Sequence, residues 1–201
     1  MSAEDQVDQS RRHFLLVATT VTGIAGAAMT AVPFLASWKP SARAQALGAP
    51  VDADVSKLEP GAIMKVNWRG QAIFIVHRTP EMIATLTQTD VVNSLRDPDS
   101  KESEQPEYAA NTARAVKPEY LVLVGVCTHL GCAPLDRFQP QDPELGATWP
   151  GGFYCPCHGS KFDLAGRVFK DVPAPTNLRV PPYRFQNNDA VIQIGTDTEV
   201  A

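Results

Sequence analysis

Two short runs of the sequence hold all four cysteines of the protein and two of its four histidines. The runs are Cys-Thr-His-Leu-Gly-Cys at residues 127–132 and Cys-Pro-Cys-His-Gly-Ser at residues 155–160. Thiolate and imidazole are the ligands that proteins offer to zinc and to iron, and chance would not collect them in two places of a 201-residue chain. The sequence therefore predicts a metal centre built from two loops.

The number of cysteines favours one metal group over another. Two cysteines and two histidines suffice for a tetrahedral structural zinc site, but such a site leaves one cysteine in each run unexplained. A binuclear iron-sulfur cluster can use two thiolates on one iron and two imidazoles on the other. We therefore predict one [2Fe-2S] cluster per chain and keep zinc as the alternative.

The same two runs carry a resemblance to a known family. With Pro-Ala-Pro-Thr-Asn-Leu at residues 173–178 and Val-Pro-Pro-Tyr at residues 180–183, they resemble the Rieske iron-sulfur subunits of ubiquinol-cytochrome c reductase, the cytochrome bc complex. The resemblance implies a membrane-embedded, dimeric complex with a cytochrome b subunit and a c-type cytochrome subunit. In it, the chain would oxidise ubiquinol by one electron with proton release and pass the electron to the c-type cytochrome.

The resemblance also assigns roles to the six cysteines and histidines of the two runs. The implied ligands of the cluster are Cys127, His129, Cys155 and His158. The remaining pair, Cys132 and Cys157, is implied to form a disulfide between the two loops. The histidine of the second run would also accept the hydrogen bond and the proton of the quinol hydroxyl.

Further positions are implied to surround the cluster. Ser160 matches a family serine whose hydroxyl donates to a cluster sulfide, and Leu130 matches an apolar contact on the quinol-site docking surface, with ordinary packing as the alternative. Residues 173–175 would form a lid over the cluster, preceded here by Asp171 where many relatives have glycine. Phe162 stands where many high-potential members have a tyrosine that donates to a ligand sulfur. The missing donor predicts a lower midpoint potential than in those relatives.

The N-terminal part of the chain predicts export and a membrane anchor. Ser-Arg-Arg-His-Phe-Leu at residues 10–15 has the form of a twin-arginine signal, which addresses proteins for export. Residues 14–38 carry no charge and, as a helix of about 37 Å, would cross a hydrocarbon core of ~30 Å. The alternative is a signal peptide cleaved within residues 42–46, but the length of the apolar run favours retention. Export would leave residues 1–13 in the bacterial cytoplasm and the C-terminal domain in the periplasm, where disulfides persist.

Composition separates the rest of the chain into two parts. Residues 39–50 are rich in alanine, contain proline and glycine and hold no aromatic side chain, which predicts a flexible hinge or tether. Residues 51–201 are long enough to bury a core and predict a mostly β, antiparallel domain with a cluster-binding part at about residues 126–165. The formal net charge of −4 and the lack of a basic cluster in the sequence argue against nucleic acid as a partner.

Several strands and one helix start are indicated by local patterns. Residues 62–68 and 71–77 predict two strands, and residues 120–126 predict a third that delivers the first cysteine run. Thr79 and Pro80 predict the N-cap and the first position of a helix.

The remaining segments predict irregular structure and a closing hairpin. Residues 97–118 are polar and interrupted by prolines, and residues 133–154 are rich in proline and glycine, so both indicate loops. Residues 179–185 and 190–194 predict two strands of a hairpin around the polar run that lies between them.

Two rival functions share parts of this pattern. The small subunit of an arsenite-oxidase-type molybdoenzyme also pairs an export signal with a Rieske domain, but the Pro-Ala-Pro lid and the intact second run argue against it. A soluble Rieske ferredoxin or oxygenase component is disfavoured more strongly, because the oxygenase type lacks the additional cysteine pair and the export signal.

Overall fold

The computed structural model describes residues 8–196 of the chain. Residues 1–7 of the predicted cytoplasmic N-terminus and residues 197–201 of the predicted periplasmic domain lie outside the described residues. The chain divides into two compact units, residues 1–46 and residues 47–201. Every strand that the structure describes belongs to the second unit.

The first unit contains one long helix, α1, which spans Gln9–Ala36. Asp8 caps it by accepting hydrogen bonds from two backbone N–H groups of the first turn, at 3.0 and 3.3 Å. The helix is long and apolar enough to cross a membrane, and its threonine hydroxyls donate to carbonyls one turn earlier, which satisfies them without water. The span predicted at residues 14–38 lies within α1 apart from Ser37 and Trp38.

A second, short helix, α2, spans Ala42–Gly48. The hydroxyl of Ser41 accepts a hydrogen bond from the N–H of Ala44 at 3.2 Å, as an N-cap residue does. Alanine has the highest helix propensity, so the composition that indicates a linker at residues 39–50 also supports this helix. The flexibility of the linker stays a prediction.

Antiparallel sheets of three strands each build the described part of the second unit. The strands are β1 (Val51–Asp54), β2 (Ile63–Trp68), β3 (Gln71–His77), β4 (Tyr120–Val124), β5 (Leu135–Arg137), β6 (Gly152–Cys155), β7 (Ser160–Phe162), β8 (Tyr183–Gln186) and β9 (Val191–Ile194). Their orders within the sheets are β1-β9-β8, β2-β3-β4 and β5-β6-β7. The prediction of a mostly β, antiparallel domain is confirmed.

The sheet β2-β3-β4 supplies much of the core. Arg69 and Gly70 join β2 to β3 with φ angles of 53° and 75°, which suits the tight turn of a hairpin. The two predicted strands are confirmed, and the third is shorter than residues 120–126. It ends at Val124, and the next residue, Gly125, lies so close to the ring of Phe74 that a Cβ there would stand 2.4 Å from it.

Two helices, α3 (Pro80–Thr85) and α4 (Thr89–Ser94), follow β3. The N–H of Met82 donates to the hydroxyl of Thr79 at 3.3 Å, and Pro80 occupies the start of α3, so the predicted helix start is confirmed. The predicted irregular stretch at residues 97–118 holds only a short 3-10 turn at Glu107–Ala109.

The closing hairpin is formed by β8 and β9, with positive φ at three of the four residues between them, 187–189. Its first strand begins at Tyr183 and not at residue 179, because Pro181 and Pro182 have no N–H to donate to a neighbouring strand. The buried Tyr183 ties the hairpin to the irregular stretch, since its hydroxyl accepts a hydrogen bond from the N–H of Val116 at 2.9 Å.

The proline-rich insert at residues 133–154 is not loop throughout, because β5 and most of β6 lie within it. Between these strands the chain folds on itself around Trp149, which is buried. The indole N–H donates to the carbonyl of Arg137 at 2.9 Å, and the carbonyl of Trp149 accepts from the N–H of Gln141 at 2.8 Å. The insert is therefore a compact loop that is held by hydrogen bonds of one buried tryptophan.

Candidate metal centre

The two cysteine-histidine runs form loops of the same construction. In the first run, which follows β4, the carbonyl of Cys127 accepts from the N–H of Gly131 at 3.0 Å. In the second, between β6 and β7, the carbonyl of Cys155 accepts from the N–H of Gly159 at 3.0 Å. Both glycines have positive φ angles, 83° and 77°, which residues other than glycine rarely adopt. Each loop thus closes a tight turn that begins at its cysteine and contains its histidine.

A disulfide joins the two loops. Cys132 and Cys157 are bonded, with their Cα atoms 6.7 Å apart, and this is the pair that the resemblance implies. The sulfur of Cys155 lies within 4.8 Å of both disulfide sulfurs, but bonded sulfurs are not thiolates. The free thiols of Cys127 and Cys155, both buried, are therefore the sulfur ligands that the two runs can offer to a metal.

The two histidines lie side by side at the tip of the loops. Their ring centroids are 4.8 Å apart and their planes make an angle of 86°. The Nδ1 atom of His129 is buried and has no hydrogen-bond partner within residues 8–196, whereas His158 is exposed. A buried ring nitrogen without a partner is costly, and a metal ion would satisfy it. The donor set of two thiols and two imidazoles fits a [2Fe-2S] cluster with mixed ligands.

The buried thiols need a cation. Burial raises the pKa of the Cys127 thiol, as does the neighbouring Cys155, and donors from the N–H of His129 and from the hydroxyl of Ser160 only partly offset this. The Cys127 thiol in this environment therefore stays protonated until a positive charge arrives. Metal binding therefore releases protons.

Hydroxyl groups connect the loops to the segment at residues 173–176. The buried Ser160 hydroxyl accepts from the N–H of Ala174 at 3.1 Å, and the hydroxyl of Thr128 donates to the carbonyl of Thr176 at 2.7 Å. Asp171, just before this segment, has a φ of 57°, so an aspartate adopts here the left-handed conformation that glycine adopts most easily.

Two residues near this segment were not predicted from the sequence. The guanidinium of Arg96 donates to the carbonyl of Val172, just before the lid, and to those of Ala174 and Pro175 within it. The buried side chain of Asn177 accepts from the N–H of Val168 at 2.8 Å. The sequence indicated this asparagine only through its position within the Pro-Ala-Pro-Thr-Asn-Leu run, and it gave no sign of Arg96.

Leu130 lies beside the histidines and is 71% exposed. The Leu130 side chain is therefore not packed in the core of its own chain.

The segment after β7 is held by buried charges. Asp163 forms an ion pair with Arg167 at 2.7 Å, and both side chains are almost fully buried. Arg78 donates to the carbonyl of Leu164 at 3.0 Å, and Arg114 donates to the carbonyl of Ala165 at 3.1 Å. These contacts fix the chain between the second ligand loop and the lid.

We expect Phe162→Tyr to raise the midpoint potential. Phe162 is fully buried in β7 and pairs with Phe153 of β6 in the sheet that carries the second loop. A tyrosine hydroxyl that donates to a ligand sulfur would stabilise the reduced, more negative cluster. Potentiometric titration of the complex checks this, with Phe185→Tyr in β8, a strand of a different sheet, as the control. An equal or lower potential in Phe162→Tyr would contradict the explanation.

Two family models match the chain. The Rieske [2Fe-2S] domain matches residues 49–183, and the Ubiquitinol-cytochrome C reductase Fe-S subunit TAT signal matches residues 1–41. The antiparallel sheets and the paired loops thus define a Rieske-type [2Fe-2S] protein with an N-terminal export signal.

Relatives narrow this class further. The ubiquinol-cytochrome c reductase iron-sulfur subunit of Allochromatium vinosum is 55% identical over 197 residues, covering 98% of this chain and 93% of that protein. The subunit of the same name from Blastochloris viridis is 44% identical over 191 residues, covering 95% and 96%. The mitochondrial cytochrome b-c1 complex subunit Rieske of Schizosaccharomyces pombe is 42% identical over 168 residues, covering 84% and 64%. The chain belongs to the family of Rieske iron-sulfur subunits of ubiquinol-cytochrome c reductase. The rival reading as an arsenite-oxidase subunit is not favoured.

Proposed function

We propose that Cys127, His129, Cys155 and His158 hold the cluster of this reductase subunit. The observation that carries the proposal is the buried, unpartnered Nδ1 of His129 beside two buried free thiols, within the part of the chain that the structure describes. When bound, the cluster supplies one-electron redox chemistry. Substitution of Cys155 by Ser, with loss of the EPR signal of the reduced cluster, tests the assignment, and retained signal overturns it.

The exposed side chains of His158 and Leu130 are proposed to receive ubiquinol. His158 presents an imidazole to solvent, and Leu130 presents an apolar side chain on the neighbouring loop. A quinol head has the same two kinds of surface, a hydroxyl and an apolar ring. The imidazole of His158 accepts the hydrogen bond of the quinol hydroxyl and then its proton, while the apolar side chain excludes water from the contact.

We expect imidazole-specific modification to abolish quinol oxidation in the intact complex. The modified complex should still be reduced by dithionite, because an artificial reductant does not need the hydrogen bond of His158. Peptide mass spectrometry supplies the control, since the loss must follow the adduct at His158 and not the adduct at the part-buried His77. Unchanged quinol turnover with His158 modified would contradict the proposed role.

The partners and the orientation complete the proposal. The chain sits in a dimeric complex with a cytochrome b subunit and a c-type cytochrome subunit. The c-type cytochrome subunit accepts the electron from this chain. Residues 1–13 lie in the cytoplasm, residues 14–38 span the inner membrane, residues 39–50 act as a hinge, and residues 51–201 lie in the periplasm. Helix α1, long and apolar enough for the span, and the match to the export-signal family support this arrangement.

Purification of the tagged chain from gently solubilised membranes tests the assembly. We expect b and c haems to copurify and to be reduced by quinol. Molybdenum without haem b would instead support the arsenite-oxidase-type subunit and overturn the proposed complex.

A further inference from the structure

Arg96, which follows α4, places its guanidinium against residues 172–175, that is, the lid and the residue before it. Nη1 lies 3.3 Å from the carbonyl oxygen of Ala174 and 3.4 Å from that of Pro175. Nη2 lies 3.4 Å from the carbonyl oxygen of Val172. One planar group thus holds three carbonyl groups of a segment that is 76 to 79 residues away in the sequence.

The backbone around Arg96 is itself fixed to the segment before the lid. Its N–H donates to the carbonyl of Val168 at 2.9 Å, and the carbonyl of Ser94 accepts from the N–H of Lys170 at 2.8 Å. Between these two bonds, Leu95 forms a β-bridge with Phe169. The guanidinium is therefore presented from a rigid base, and the lid it holds has a defined position.

Ala174 connects Arg96 to the ligand loops. Its carbonyl accepts from Arg96, while its N–H donates to the hydroxyl oxygen of Ser160 at 3.1 Å. Both Ala174 and Ser160 are fully buried, so water does not replace the bond between them. A serine hydroxyl has a single hydrogen. With its oxygen accepting from the Ala174 N–H, the hydroxyl leaves this hydrogen to donate to a sulfur atom of the centre, as the resemblance implies.

We propose that Arg96 is a positioning residue for the electron transfer, which holds the lid so that the Ser160 hydroxyl points at a sulfur atom of the centre and raises the midpoint potential. The inference rests on the proposed ligand set. A hydrogen bond to a ligand sulfur stabilises the reduced cluster, and outer groups of this kind tune metal sites. Because Arg96 is itself exposed, the direct effect of its charge is screened by salt, and its effect runs through the geometry of the lid.

Two variants of Arg96 separate geometry from charge. Lysine keeps the positive charge but cannot hold three carbonyl groups in one plane, and glutamine loses the charge as well. Lys170→Gln is the matched control, since it removes one charge from the same region and its ammonium contacts the carbonyl of Asn93, not the lid. The measurement is a potentiometric titration of the intact complex, together with the EPR spectrum of the reduced cluster.

We expect both Arg96→Lys and Arg96→Gln to lower the midpoint potential and to shift the EPR g values, with Lys170→Gln unchanged. A normal potential in Arg96→Lys would overturn the proposal, and so would an equal fall in all three variants. The amplitude of the EPR signal reports cluster content, so a variant that merely fails to assemble is recognised.

A double-mutant cycle tests the route through Ser160. In a Ser160→Ala background, Arg96→Lys should produce no further shift, because the hydroxyl that it positions is gone. Additive shifts would overturn the route. Failure of the ligand assignment is distinguishable, since it would appear as a retained cluster in Cys155→Ser, whereas failure of the Arg96 proposal leaves the cluster intact with an unshifted potential.

Discussion

Replacement of Asp163 by Asn is expected to destabilise the folded domain by about 4 kcal/mol, because it leaves buried cations uncompensated. The carboxylate is 1% exposed, as is the Arg167 side chain that it pairs with. One of its oxygens accepts from Nε of Arg167 at 2.7 Å. The other accepts from the N–H groups of Ala165 and Arg167, at 2.9 and 2.7 Å. An asparagine amide keeps one acceptor and loses the charge.

The loss of stability in Asp163→Asn extends beyond the ion pair with Arg167. Arg78 and Arg114 are also buried, and burial lowers the pKa of each to about 10 while the charge of Asp163 opposes that fall. Both guanidinium groups stay protonated at neutral pH, since about 10 is well above 7. Asp163 therefore pairs directly with Arg167 and also favours the charged forms of Arg78 and Arg114, so its removal raises the cost of burying all three arginines.

Urea unfolding of the full-length chain in detergent, followed by circular dichroism, measures the effect. Glu104→Gln is the control, because Glu104 pairs with Arg179 at 3.5 Å and its side chain is 76% exposed. That variant should change the free energy of unfolding by less than about 0.5 kcal/mol. A similar small change in Asp163→Asn would show that the buried arginines do not depend on this carboxylate.

The elements predicted correctly from the sequence are those whose signals are local. The hairpin of β2 and β3 is marked by the Arg69-Gly70 turn, and α3 is marked by Thr79 before Pro80. Strand β5, by contrast, is only three residues long and exists because it pairs with β6, so no pattern of its own indicates it. Short strands that depend on tertiary pairing lie beyond single-sequence patterns.

The residues of the candidate site likewise differ in whether a local sequence signal indicates them. Metal chemistry restricts ligands to few residue types, so the two cysteine-histidine runs indicate it directly. Arg96, Thr128 and Asp163 lacked such a signal, because they bind backbone groups or an arginine, and backbone groups are present at every position. Their partners become known only when the chain is folded.

Substitution of Gly152 by Ala is expected to destabilise the domain by more than about 4 kcal/mol and to prevent cluster loading. A Cβ at this position in β6 would lie 2.0 Å from the carbonyl oxygen of Phe162 and 3.0 Å from the Cα and carbonyl carbon of Asp163. All three are backbone atoms of the adjacent chain segment, so no side chain can move aside. The strands β6 and β7 would have to separate, and these strands flank the loop that carries Cys155 and His158.

Gly146→Ala is the control that separates backbone strain at positive φ from the close backbone contact as the cause of the lost stability. Gly146 also has positive φ, 99°, but a Cβ there meets no atom within 4 Å, so alanine would suffer only backbone strain of about 1–2 kcal/mol. Urea unfolding and the iron content per chain should both separate the two variants, with Gly146→Ala keeping its cluster. Equal losses would mean that strain at positive φ, and not the approach of β6 to the chain after β7, requires glycine at residue 152. The larger loss that we expect would instead show that the close contact of the two strands holds the second ligand loop in place.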